Sequence, residues 1–279
     1  MKARVLFGVF GFAFVLLALY VFPPIVLELV VTALCVFATY EVLGSTKLVR
    51  NHLELLLAMA VSLGLAVGHF SILPLRLESV MQGLVLVLLF GSFAIELKYH
   101  DVMKASQVSW AFFGGLAVPY LLLSLLRIFQ MHYHHGSFIV LLPLLAAWGA
   151  DTCALFSGML FGKHKLAPVV SPKKTVEGAV GGVVGGAVLV LIAAVIMNRT
   201  LDLEMPLWSA VVLGAVGAVL GEIGDLSFSV IKRQTGIKDY GHIFPGHGGV
   251  LDRFDSVLFV APFAEPFPFS AILPSKTVL

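Results

Sequence analysis

The chain has 279 residues, 59% of them hydrophobic and only 12% charged, with a net charge of +2 and a mean hydropathy of +1.01. A soluble domain carries roughly 45–50% apolar residues, so this chain cannot hide its side chains in one water-soluble core and must use the bilayer as solvent. The small net charge gives no pull on nucleic acid. The two cysteines, Cys35 and Cys153, sit far apart in apolar segments, which excludes a disulfide framework and marks them as packing residues.

A bilayer core takes about 20 apolar residues in helical form. Nine runs meet that need, at approximately 4–22, 25–43, 53–71, 80–97, 107–128, 137–160, 178–198, 206–230 and 251–269. The opening "MKARVLFGVFGFAFVLLALYVFPP" starts basic, like a secretory leader. No small-residue cleavage site follows its long apolar run, so it reads as the first span. The last run is the weakest: Asp252, Arg253 and Asp255 stand at its start, and Glu265 and prolines near its end. The expected fold is all-α, a polytopic integral membrane protein of about nine transmembrane helices. Residues 1–135 supply the N-terminal spans and 136–279 the spans that carry a polar site, as one membrane domain.

Loop charge sets the orientation. With the N-terminus in the cytoplasm, the inner segments hold Lys2, Arg4, Lys47, Arg50, Lys98, Lys104, Lys163, Lys165, Lys173, Lys174, Lys232, Arg233, Lys238 and Arg253, and the outer ones only Arg76, Arg127, Arg199 and Lys276. That 14-to-4 bias predicts a cytoplasmic N-terminus and a C-terminus on the far side. Two spans are also built for close contact. "GAVGGVVGG" places Gly178, Gly182 and Gly186 four apart beside Gly181 and Gly185, and Gly217 and Gly221 repeat the interval. Small residues at this spacing let helices approach closely in lipid.

Both charge-rich blocks fall in connections predicted to face the cytoplasm. The first is "ADTCALFSGMLFGKHKLAPVVSPKKTVEG", Ala150 to Gly178; the second is "GDLSFSVIKRQTGIKDYGHIFPGHGGVLDRFDS", Gly224 to Ser256. Acids at the edge of the hydrocarbon are costly unless paired, hydrated or cation-bound. The bland alternative is that Asp151, Asp225 and Asp252 merely pair with nearby lysines. If the eighth span stays helical, Glu222, Asp225, Ser229 and Lys232 fall at i, i+3, i+7 and i+10 on one face. "GIKDYGHIFPGHGG" then breaks the helix with five glycines and a proline. Asp252, Asp255 and Ser256 follow at i, i+3 and i+4. Carboxylates beside Lys, Arg and Gly suit metal-bound phosphates, with Asp oxygens on Mg²⁺ and basic groups on the remaining charge. "GMLFGKH" lacks the spacing and hydroxyl of a P-loop. Intramembrane acids with glycine-rich helices also suit a cation-coupled transporter, although no internal repeat is visible.

Ser229, Lys232, Arg233, Lys238, Asp239, Pro245, His247, Gly248, Gly249, Asp252, Arg253 and Asp255 together resemble the signature of the phosphatidate cytidylyltransferases, or CDP-diacylglycerol synthases. "FGKHKLAPVVSPKKTVEG" is similar to that family's second characteristic segment; Cys153 and Met159 depart from its usual residues. The resemblance covers the last half of the chain. It implies transfer of the cytidylyl group of CTP to phosphatidate in phospholipid biosynthesis, at the cytoplasmic face of the inner membrane. It makes Asp225 and Asp252 the expected Mg²⁺ ligands, with Asp255 and Glu222 supporting them. Lys232, Arg233, Lys238 and Arg253 are expected to hold triphosphate or lipid phosphate, and Gly248 and Gly249 to bring backbone amides to phosphate oxygens. Asp151, Ser171, Lys173, Lys174, Glu177 and Ser229 complete the expected substrate site. Asp239 reads as a metal ligand or a loop cap, and His247 as a phosphate donor, leaving-group acid or turn residue. A second metal or monovalent ion, a homodimer, and an isoprenoid-lipid transferase or CTP-dependent polyprenol kinase stay open. His242 reads as a solvated loop residue. His132, His134 and His135 read as a weak metal candidate, and Glu41, Glu96 and Lys98 as span-end residues that snorkel to the interface.

Overall fold

A computed structural model describes residues 11 and 13–267, except 74–76, 132–134, 202 and 244–247. Behind a helical segment at 13–20, the long helices are α1 Pro24–Ser45, α3 Leu77–Lys98, α4 Ala105–Met131, α5 Gly136–Phe161, α6 Val176–Thr200 and α7 Leu207–Thr235. Between α1 and α3 lies the shorter α2, His52–Gly68. A two-stranded antiparallel hairpin, β1 Lys165–Ala167 and β2 Ser171–Thr175, separates α5 from α6. The last helices of the described residues are α8, Leu251–Phe254, and α9, Val257–Ala264.

The all-α membrane architecture is therefore what the composition demanded. Among the described residues six helices are long and apolar enough to cross a bilayer, against the nine runs read from sequence. The 53–71 run forms the 17-residue α2. The first ten residues lie outside the described chain. The 251–269 run forms two short helices, α8 and α9, with Asp255 and Ser256 between them and Pro262 inside the second. Lipid is the evident solvent for the rest: on α3, Phe90 is 67% and Leu97 77% exposed, a surface that water would not tolerate as a contiguous patch.

The chain divides into two compact units, residues 1–130 with 230–254, and residues 131–229 with 255–279. In the first unit, Pro24 opens α1, where a missing N–H costs nothing. Asn51 caps α2 by accepting from the Leu53 and Glu54 amides at 2.9 and 3.3 Å. π-Helical turns interrupt α1 at Glu41–Ser45 and α4 at Phe113–Ala117. Thr39 Oγ1 donates across to the Gly114 carbonyl at 2.8 Å, beside the α4 turn's start. Cys35 is fully buried, with its sulfur 3.8 Å from the Pro119 carbonyl, a packing role as expected.

The second unit is organised by glycine contact. A Cβ at Gly182 would lie 3.1 Å from the Ala150 carbonyl oxygen, and one at Gly214 only 2.6 Å from the Ala187 Cα. These stripes bring α5, α6 and α7 to near-backbone contact, the arrangement that small residues permit in lipid. Cys153 packs where a side chain at Gly185 would stand. Thr175 ends β2 and caps α6 by accepting from the Gly178 amide at 3.1 Å. Asn198 closes the α6–α7 connection with paired bonds to Met205, 2.8 and 3.0 Å.

Two alanine substitutions separate contact from propensity. Gly214→Ala drives a methyl into backbone and is expected to destabilise by about 1–3 kcal/mol. Gly83→Ala, on α3 with no atom within 4 Å of the new carbon, should be neutral or stabilising by up to about 1 kcal/mol. Thermal unfolding in detergent reads both; equal shifts for the two would refute the close-contact account.

Candidate active site

In the second unit, β2 delivers Lys174 to the acids of α7. Its ammonium lies 2.8 Å from Glu222 Oε1 and is also paired with Asp225 Oδ2. These three side chains keep 18–25% of their surface exposed, so the cluster is half-buried. Ser229 Oγ donates to Asp225 Oδ1 at 3.4 Å. From α5, Asp151 accepts a bond from Ser256 Oγ at 3.3 Å and is near enough to feel the charges of Lys174, Asp225 and Glu222. Burial alone would lower the Lys174 pKa, but Asp225 and Glu222 outweigh it and hold the ammonium above its ordinary value of 10.5. The lysine stays charged through neutral pH. Its ion-pair stabilisation is lost only as pH rises past that elevated value.

The hairpin that presents Lys174 is itself pinned. Glu177 accepts the Lys163 and His164 amides at 3.0 and 3.2 Å and meets His164 Nδ1 at 2.6 Å. Its carboxylate thus fastens the start of β1 to the first turn of α6. Lys173 alternates to the exposed face of β2, while Ser171 is half-buried and pairs with Ala167.

In the first unit, α7 ends in a left-handed glycine. Gly236 has φ +74°, and the Ile237 and Gly236 amides return to the Lys232 and Arg233 carbonyls at 3.0 and 3.3 Å, a Schellman closure. This fixes Lys232, whose ammonium donates to Asp252 Oδ1 at 2.8 Å and lies 5.4 Å from the Tyr240 ring centre. Asp252 Oδ2 accepts the Tyr240 and Gly249 amides at 2.8 and 2.9 Å. The Asp252 side chain is only 3% exposed. Gly248 has φ +85°, and a Cβ there would lie 2.6 Å from Asp252 Oδ2; only glycine serves.

One acid departs from its sequence reading. Glu41 does not snorkel: it is 1% exposed, and its two oxygens accept the Val250 and Leu251 amides at 3.0 and 2.8 Å. The signature loop's amides at 249, 250 and 251 are thus spent on Asp252 and Glu41, where the sequence suggested phosphate oxygens for the glycine segment. Sequence spacing could not find Glu41, because its partners lie 209 and 210 residues away.

Arg233, Lys238, Asp239, His242 and Arg253 are exposed. Asp255 is buried, 6% exposed, and accepts the Ser256 amide at 2.9 Å. Pro245, His247, His132 and His134 lie outside the described residues.

The donor chemistry bears on magnesium. Glu222 and Asp225 pair with one ammonium and Asp151 lies near enough to feel its charge, so three formal negative charges meet one positive charge. Oxygen donors with a two-charge deficit suit a hard divalent cation. Among the described residues no group of three or more His, Cys, Asp or Glu is placed to hold a metal ion. Asp252 is differently placed, since both oxygens already hold protein donors.

Helices long and apolar enough to cross a bilayer, with acids and lysines paired beside them, define a polytopic membrane protein. A model of the cytidylyltransferase family matches residues 2–269, so the chain belongs to that family. Among its relatives is a phosphatidate cytidylyltransferase of Haemophilus influenzae, 32% identical, covering 96% of this chain and 99% of the relative. A Staphylococcus aureus protein of the same name is 35% identical over 88% of this chain and 94% of its own length.

The two lysines of β2 should behave differently. Lys174→Ala removes the ammonium that Glu222 and Asp225 share and is expected to lower both thermal stability and turnover. Lys173→Ala should leave the melting temperature unchanged and raise the apparent KM for a phosphate-bearing substrate. Matching effects in thermal-shift and kinetic assays would refute the distinction.

Proposed function

We propose that the chain transfers the cytidylyl group of CTP to phosphatidate, giving CDP-diacylglycerol and pyrophosphate. The observation that carries this reading is the pairing of acids with lysines on the signature residues of a family whose relatives bear that activity's name. A phosphatidate oxygen supplies the electron pair that forms the new bond to the α-phosphorus of CTP, and the bond to the β-phosphate oxygen breaks, releasing pyrophosphate. The attacking oxygen is already ionised near neutral pH, so no strong protein base is needed. The obstacle is the repulsion between two anions, which fixed cations and in-line positioning relieve.

Lys232, Arg233, Lys238 and Arg253 are assigned to phosphate oxygens, with Lys173 and Lys174 as a second basic segment. Asp225 and Asp252 are assigned as magnesium ligands. For Asp225 the charge deficit around Lys174 supports the assignment; Asp252 would exchange a protein donor to serve. Bound Mg²⁺ would supply neutralisation of phosphate charge. The 14-to-4 basic bias supports a reading in which the site faces the cytoplasm of a bacterial inner membrane. A homodimer belongs to the same proposal and is tested by mass in detergent.

CTP labelled at the α-phosphate should pass its label into lipid with stoichiometric pyrophosphate. A lipid labelled only from γ-phosphate, with CDP released, would show a kinase instead; failure with phosphatidate but turnover of an isoprenoid lipid would change the substrate class. Asp225→Asn should cut kcat by about 100-fold or more while the protein still elutes as folded. Near-normal turnover by that variant would remove Asp225 from the magnesium assignment.

A further inference from the structure

Glu41 is a buried acid of α1, 1% exposed. Its charge is met by main-chain donors: Val250 N–H to Oε1 at 3.0 Å and Leu251 N–H to Oε2 at 2.8 Å. A two-oxygen acceptor fits two successive amides, and hydrogen bonds to an ionised acceptor are about twice as strong as neutral ones. The loop is shaped around this carboxylate. A Cβ at Gly249 would lie 2.5 Å from Glu41 Oε2, and one at Gly241 3.0 Å from its Cδ. Two glycines of the signature stretch therefore make room for a residue from α1. The next amide along, Gly249 N–H, goes to Asp252 Oδ2, and Asp252 Oδ1 receives Lys232. Three successive amides, 249 to 251, are thus divided between the two acids, and the backbone that places Asp252 cannot shift without breaking bonds to Glu41.

We propose that Glu41 is a positioning residue for the reaction: its carboxylate holds the 249–251 backbone so that Asp252 and Lys232 stand in their working geometry. This rests on the cytidylyltransferase reading for its kinetic consequence, and on the hydrogen bonds alone for its structural one. Glu41 touches neither nucleotide nor lipid in this account; it acts through Asp252. Glutamine at 41 offers one acceptor and turns an NH₂ donor toward the second amide, so one bond is lost and two donors face each other. Aspartate keeps the charge but withdraws it by one methylene.

The test compares Glu41→Gln, Glu41→Asp and Asp252→Asn, singly and as Glu41→Gln with Asp252→Asn, in purified full-length protein. Hydrogen exchange is expected to accelerate at residues 249–252 in Glu41→Gln, with the helix cores unchanged. With CTP and phosphatidate, kcat should fall about 10- to 100-fold while each KM stays within about twofold. The double variant should be no slower than Asp252→Asn alone, because both changes act on one arrangement. Glu41→Asp, retaining the charge, should fold and still lose turnover.

Unaltered exchange at 249–252 in both Glu41 variants overturns the proposal. So do additive losses in the double variant, or a rise in KM with unchanged kcat. If Glu41→Gln fails to fold, Glu41→Asp decides by the same exchange and kinetic readouts. A wild-type protein that forms no CDP-lipid refutes the functional reading instead, and the exchange result still decides whether Glu41 holds the loop.

Discussion

A carboxylate removed from water must be given donors or a cation, and the polar architecture of this chain follows from how that demand is met. The cost of an unmatched buried charge amounts to several kcal/mol, comparable to the whole stability of a domain. Two solutions coexist here. Around Lys174 the acids share one ammonium and keep some exposure to solvent. At Asp252 and Glu41 the match is made mainly by backbone amides, which require the chain to be bent into a particular shape. The first arrangement leaves an excess of formal negative charge. The second leaves little and fixes geometry.

This difference explains why the glycines of the signature stretch are not interchangeable spacers. Gly248 is left-handed against Asp252, Gly249 lies against Glu41, and Gly236 ends α7 so that Lys232 is presented at a fixed height. Each removes a side chain from the path of a carboxylate or permits the turn that brings one into place. The stripes on α6 and α7 do something else with the same residue, letting backbones meet in lipid where apolar side chains gain nothing from association.

Much of the fold could be read from hydropathy, because lipid imposes one simple requirement on every span. The six long helices lie within a few residues of the corresponding apolar runs. The β1–β2 hairpin was not legible: "KLA" and "SPKKT" are too short to show an alternating pattern, and Glu177, which fastens the residues just before β1, lies beyond both strands. The charged residues of the site were legible as a group, since acids, lysines and glycines clustered in an apolar chain stand out. Their division of labour was not. Asp225 and Asp252 look alike in sequence, yet one faces an ammonium in a partly open cluster and the other is enclosed by three donors. Glu41 was hidden because a single acid at a span end has a sufficient local explanation, and its partners come from the far end of the chain.

The length of α7 has a further consequence. Its 29 residues measure about 43 Å at 1.5 Å per residue, against a hydrocarbon thickness of about 30 Å. A rod that outreaches its slab by more than two turns must tilt or protrude, and Lys232 and Arg233 sit in the overhang at its final turn. The depth of these cations is then set by the surrounding bilayer as well as by the protein, and the thickness of the host membrane becomes a physical input to where they stand.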